Sequence, residues 1–321
     1  MAAQGAQKKK LIDWSSQTTF AVVCMLPIII FLLIVAVTPT TVAIIDSFRE
    51  LSLTVFTKRG EFIGLQNYGD LIGDDEKFYT SLWHTVMFMA VVVPIEFVCG
   101  LAIALWINRQ FAGRRLVLTI IMIPTMIAPV VVGMIWRFFL MPSFGVLTIY
   151  MNDLGLFRET SIFSGPTTAF GALMLIDIWE WTPFIMLIML AGLTAMPKNP
   201  IEAAQLDGAS KWQILWHVQL PLLKPLIIIA LMLRTIDASK VFDTIYILTG
   251  GGPGDATEVI SSFAYRTNFL KWDLGYGAAV CLVLAFASLV VAGLFYKVVT
   301  RQRAIATTRT AVREKEPTVA S

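Results

Sequence analysis

Charge and histidine are what this chain is short of. Only 15% of its 321 residues are Asp, Glu, Lys or Arg, and it has two histidines and three cysteines. A water-soluble domain averages about a quarter charged residues, so this chain lacks the polar side chains to cover one. His84 and His217 have no Cys, Asp or Glu beside them at ligand spacing, so no metal site is expected. Cys24, Cys99 and Cys281 all sit inside apolar runs, where they pack as small hydrophobes and form no disulfide framework. No G-x-x-x-x-G-K-[ST] occurs, so the chain cannot cradle ATP phosphates by that route, and no cofactor is expected on it. Thr249 to Gly254 is glycine-rich but lacks the lysine and is interrupted by Pro253. There is no G-x-S-x-G and no cytoplasmic pair of acids, so no catalytic residue is nominated.

Long apolar runs are abundant instead. Hydrophobic residues make up 57% of the chain and its mean hydropathy is +0.73. Stretches of about 20 apolar residues can cross a hydrocarbon core of ~30 Å, and six fall near 19–45, 82–107, 116–140, 168–193, 225–248 and 276–299. The first is too long for a signal-peptide core and is read as a retained helix, kinked by Pro27 and Pro39. Fifteen Lys and Arg fall on the side that holds both ends and the 107–116 and 194–224 loops, against seven on the other. Basic residues favour the cytoplasmic face, so both termini are expected there. The net charge of +3 follows from these flanking residues and points to no nucleic-acid partner. The expected plan is a cytoplasmic tail at 1–18, a six-helix membrane domain over 19–300 and a disordered cytoplasmic tail over 301–321.

One polar segment interrupts this pattern on the cytoplasmic side. Asn199 is placed to cap a helix begun by Pro200, with Glu202 reaching back to the cap amide. Asp207-Gly208 then supplies a break, and a second short helix runs from about Ser210 to Val218 and stops near Pro221. The result is a stiff knob presenting Glu202, Ala203 and Ala204. By itself Glu202 is an ordinary capping acid, but two small residues beside it let another surface approach closely.

Charges also lie inside the spans, where they are costly and usually face a bundle interior or water. Asp177, Glu180 and Trp181 fall at i, i+3 and i+4 on the fourth span, and Arg234, Asp237, Lys240 and Asp243 recur every third residue on the fifth. At a rise of ~1.5 Å per residue the two groups reach a similar depth. Carboxylates, a guanidinium and an ammonium beside an indole suit a polyhydroxylated ligand, whose hydroxyls take hydrogen bonds while its C–H face packs on the ring. The same alternation of signs could instead neutralise itself and fix helix packing; Asp243 fits that role better, and Glu96 is open between the two.

Glu202-Ala203-Ala204, then Gly208 after three residues and Leu220-Pro221 twelve residues further on, resembles the coupling loop of the permease subunits of binding-protein-dependent ABC importers. Leu233 to Asp243 and Ile245 to Pro253 are similar to the carbohydrate branch of that family, and Phe62 to Tyr68, Ile123-Pro124, Pro129 to Val131 and Trp136-Arg137 resemble the family at large. The likeness covers roughly residues 20 to 300. It implies an all-α membrane protein of MetI-like permease fold with six transmembrane helices, in a bacterial inner membrane. It implies a second homologous permease, an ATPase homodimer that uses Mg-ATP, an extracytoplasmic solute-binding protein and a sugar-like substrate as partners. The ATPase contact would fall on Glu202, Ala203, Ala204, Asp207, Gly208, Leu220 and Pro221, and the cavity on Asp177, Glu180, Trp181, Arg234, Asp237 and Lys240. An ion-coupled secondary transporter is the rival, since buried acids can relay protons, but it has no use for the Glu202 loop.

Overall fold

Two of the six expected spans are broken part-way. The computed structural model of the chain describes residues 17–54, 59–73, 75–155 and 161–315, so the expected N-terminal tail lies almost wholly outside the described residues. Five helices are long and apolar enough to cross a membrane, and a sixth span is completed by a bent pair.

The first span joins α1 (Gln17–Leu32) to α2 (Thr38–Ser47) through a π turn at Leu33–Val37. Pro39 has no N–H to give, and a widened turn ahead of such a residue absorbs the mismatch. Thr40 and Thr41 hydroxyls donate to the Ala36 and Val37 carbonyls there, keeping these polar atoms paired where lipid offers no partner.

The bundle is organised around α4 (Glu76–Ile107) and α8 (Pro166–Thr194), which pack together more extensively than any other pair. Asp75 caps α4, its Oδ1 accepting from Phe78 N–H at 3.0 Å. The close approach needs glycine at Gly100, where a Cβ would stand 2.9 Å from the Met186 nitrogen. Phe88, Val92 and Leu173 form one buried cluster, and Ala104, Ile185 and Met189 a second further along the same helices.

The third span consists of α5 (Arg114–Met126) and α6 (Pro129–Phe139), which meet at 95°. Ile127 and Ala128 are both extended, and the cause is Pro129, since a residue ahead of proline is pushed out of the helical region. Short α7 (Val146–Asp153) follows.

The fifth span also departs from the expected continuous helix. α11 (Leu220–Ala238) ends in a turn at 239–242, and α12 (Asp243–Leu248) resumes beyond it. Arg234 and Asp237 therefore share a helix, while Lys240 lies in the turn and Asp243 opens the next helix. The four form no single helical stripe. The helical stretches beyond the two breaks pack on each other: Gly133 lets Ile247 close in, and Arg137 Nη1 donates to the Ile247 carbonyl at 3.0 Å.

Between spans four and five lie α9 (Asn199–Leu206) and α10 (Lys211–Ile214), separated by Gly208 at φ +78°. At the end opposite the α9–α10 hairpin, β1 (Arg49–Leu51) and β2 (Arg59–Phe62) pair antiparallel, a small departure from an all-helical plan. Beside the strands, α3 (Gln66–Gly73), the first turns of α4, α13 (Ile260–Tyr265) and the start of α14 (Leu274–Lys315) enclose a third cluster around Leu71, Phe78 and Phe263. α14 continues to Lys315, where disorder was expected from 301; residues 316–321 lie outside the described residues.

Candidate functional site

Arg234 is the centre of the membrane site. It reaches from α11 and is 1% exposed. Its Nε and Nη2 donate to the two Glu96 carboxylate oxygens on α4 at 2.7 and 2.9 Å. Nη2 also donates to Asp177 Oδ2 on α8, and Nη1 to Asp237 Oδ2 at 3.2 Å. The Trp181 ring lies 5.1 Å from the guanidinium carbon, within cation–π range. One cation thus ties three helices, and Glu96, open in the sequence, is its bidentate partner.

Beside this knot is a cleft of about 90 Å³, lined by Asp177, Trp181, Arg234, Asp237, Lys240 and Asp243 among others. Pro129 at the break of the third span and Phe242 at the break of the fifth also face it. The broken spans put helix ends and loop backbone, rather than a smooth apolar wall, around the cleft. Its volume is below the ~300 Å³ at which small-molecule sites begin, so this chain by itself encloses only part of a sugar-sized site.

Glu180 is placed differently. It is fully buried and does not line the cleft; its carbonyl accepts from Thr125 Oγ1 at 2.7 Å, and its Oε2 has no hydrogen-bond partner among the described residues. Trp179 points away and packs on Trp136, ring centroids 5.4 Å apart. Asp243, which the spacing favoured as structural, is on the cleft. Its exposure could not be read from a pattern that assumed an unbroken helix.

The α9–α10 hairpin corrects three local expectations. Asn199 is the first residue of α9, not its cap; the cap position is Lys198, no side chain caps the helix, and Glu202 is exposed and does not reach back. The capping box falls one helix later, where Ser210 Oγ accepts from Gln213 N–H and Gln213 Oε1 accepts from Ser210 N–H. The second helix also does not stop at Pro221. A π turn at Leu215–Gln219 carries it past the proline, so Lys211–Ala238 is one helix of 28 residues. Leu220 and Pro221 therefore lie within a helix leading from the hairpin to the cleft. Ala204, Asp207 and Gly208 face Gln213 and His217 across a notch of about 430 Å³.

On the opposite side a clamp holds the 249–258 loop. Asp255 accepts from Lys77 Nζ and Arg266 Nη1, each at 2.8 Å, and Arg266 also reaches Glu258 and the Gly250 carbonyl. The hydrogen bonds from Lys77 and Arg266 hold Asp255 below its ordinary pKa, while burial pushes Glu258 up against the pull of Arg266. Gly250, Gly251 and Gly254 take left-handed angles here, so the glycines build a tight turn. Among the described residues no cluster of three or more His, Cys, Asp or Glu could hold a metal.

Residues 96–304 match the family described as binding-protein-dependent transport system inner membrane component. The chain belongs to that family. This permease is 35% identical to the sulfoquinovosyl glycerol transport system permease protein SmoG of Agrobacterium fabrum, over 91% of this chain and 96% of that one. It is 40% identical to the trehalose/maltose transport system permease protein MalF of Thermococcus litoralis, over 71% and 76% of the two chains. Among solved structures it superposes with a TM-score of 0.77 and 25% identity on a chain of a bacterial ABC transporter that imports the acidic polysaccharide alginate, covering 88% of this permease and 95% of that chain. The fold is that of ABC importer permeases, and the protein is a multi-pass membrane protein.

Proposed function

We propose that this permease is one half of the translocation pathway of an ATP-driven importer for a sugar or sugar derivative. The substrates for which its relatives are named, sulfoquinovosyl glycerol and trehalose or maltose, support a carbohydrate. An alginate importer with a chain of this fold has been captured with its sugar-loaded periplasmic protein, which supports a binding protein as the donor of substrate. A second permease completes the cleft, and separate ATPase subunits hydrolyse Mg-ATP. The bias of Lys and Arg supports cytoplasmic termini and a cytoplasmic 194–224 hairpin.

The observation that carries this reading is the single helix Lys211–Ala238, which runs from the hairpin to the edge of the cleft. Glu202, Ala203 and Ala204 offer the ATPase a flat, small-residue surface; Asp207 and Gly208 turn the chain; Leu220 and Pro221 sit where the π turn gives way to regular helix. Movement of the ATPase pair displaces the hairpin, and the helix transmits that displacement to the turn at 239–242. Asp177, Trp181, Asp237 and Lys240 then offer polar groups and an indole to a sugar, Arg234 holds them in place, and Glu180 sits behind them. A packed bundle with two broken spans can adopt two discrete arrangements, as alternating access needs.

The test is to purify the chain with the polypeptides encoded beside it and measure ATP hydrolysis with and without a binding protein loaded with candidate sugars. Stimulation by one loaded sugar, lost in Glu202→Lys with assembly intact, is the expected result. A chain that purifies alone and moves solute on an ion gradient contradicts it.

A further inference from the structure

We propose that the cleft selects uncharged, polyhydroxylated ligands over anionic ones, with Asp237 and Asp243 as the discriminating residues and Lys240 as the cation left for the ligand. This rests on the importer reading above and adds the charge class of its substrate.

Arg234 is the obvious receptor for a carboxylate, sulfonate or phosphate, and the geometry removes it from that task. A guanidinium has five N–H donors. One on Nε and one on Nη2 go to Glu96, the other on Nη2 to Asp177, and one on Nη1 to Asp237. A single N–H remains, too few for the bidentate grip that makes arginine an anion receptor. Releasing Asp237 would free only the second N–H of the same Nη1, and a parallel pair needs an N–H of Nε or Nη2, whose release would strand Glu96 or Asp177, both buried, without a counter-charge.

The charges that remain on the accessible wall are Asp237, whose side chain is 53% exposed, and the exposed Asp243 and Lys240. Two carboxylates face one ammonium. The first turn of α6, begun by Pro129 at the same cleft, adds roughly half a positive charge at most, which leaves the wall negative. An incoming anion meets like charge there. A neutral sugar meets two acceptors for its hydroxyls, a donor in Lys240, and the Trp181 ring. Asp237 is also the arm of the network that is easiest to release, because its bond to Arg234 is the longest of those to Glu96 and Asp237, and water already reaches it.

The test is calorimetric titration of the purified importer, with its permease pair and ATPase subunits together but without binding protein, using trehalose and its 6-carboxylate as probes. The neutral sugar is expected to bind at least about tenfold more tightly, and Asp237→Asn combined with Asp243→Asn to bring the two within about threefold. A carboxylate that binds as tightly as trehalose, a gap unmoved by the double variant, or binding of neither probe overturns the proposal. ATPase stimulation measured on the same assembled preparation separates that outcome from failure of the importer reading: stimulation persists if only the charge selectivity is wrong.

Discussion

Two ionic clusters of four side chains, each with an arginine at its heart, hold this permease, and they differ in access to water. Around Arg234 a guanidinium meets Glu96, Asp177 and Asp237, with Arg234, Glu96 and Asp177 almost wholly buried. Around Asp255, Arg266 and Lys77 meet two acids, but Lys77 is 63% and Asp255 32% exposed. Taking charges out of water is expensive, so the buried knot holds only while each partner is present, and loss of one strands the others. Apart from Glu258, whose side chain is 3% exposed, the outer clamp is screened and competes with water, and such pairs contribute little individually. The first joins three helices; the second positions a loop.

The largest expected effect is therefore at Arg234. Arg234→Ala should destabilise the permease by about 3–5 kcal/mol, read as a fall in melting temperature and poor recovery of folded protein in detergent. Glu96→Gln, which keeps a partner of the same shape for Arg234 but removes a charge, should cost less than half of that. An Arg234→Ala protein as stable as the parent would erase the distinction between the clusters. In a Glu258→Gln background, which leaves no buried charge behind, Arg266→Ala should change global stability by no more than ~1 kcal/mol while speeding hydrogen exchange over residues 250–258. Raising salt from 0.15 to 1 M shortens the screening length from about 8 to 3 Å; it should loosen the 249–258 loop and leave the Arg234 knot unmoved.

The smallest effect is that of pH on the outer clamp. The pKa of Asp255 is depressed in the fold, so its contribution is present above the ordinary aspartate value of ~3.9 and is lost as pH falls through the lower folded value. Glu258 has the opposite sign: its pKa is raised, so ionising it costs stability as pH climbs past ~4.3. Hydrogen exchange in the 249–258 loop, corrected for intrinsic rates, should slow slightly from pH 7 to 5 and quicken again below about 4. Glu258→Gln should abolish the first change and keep the second.

Apolar run length carried the membrane plan well because a span must be long and continuous to cross lipid. It carried the breaks poorly. Pro129 was visible, but a proline inside an apolar run predicts a kink, and the 95° bend depends on two extended residues ahead of it. The turn at Ser239 to Phe242 contains no proline or glycine, so nothing local announced it, and three-residue charge spacing was read onto a helix that is not there. Glu96 could have been found by asking which acid at matching depth answers a buried arginine. The hairpin was legible through Gly208, yet its capping was misplaced because Asn199 and Ser210 are both good caps, and only the second has a glutamine three residues on that reaches back. The π turn that carries the helix past Pro221 has no sequence signature of its own.

In the proposed importer the hairpin drives the cleft through the helix Lys211–Ala238. The most direct measurement is the number of sugar molecules imported per ATP hydrolysed by the reconstituted importer, for the parent and for Trp216→Gly combined with His217→Gly. Each glycine weakens the helix by about 1 kcal/mol within the π turn Leu215–Gln219 that joins the hairpin to α11, at residues exposed in the structure. ATP hydrolysis that continues while import per ATP falls several-fold is the predicted result; an unchanged ratio would contradict transmission through this helix.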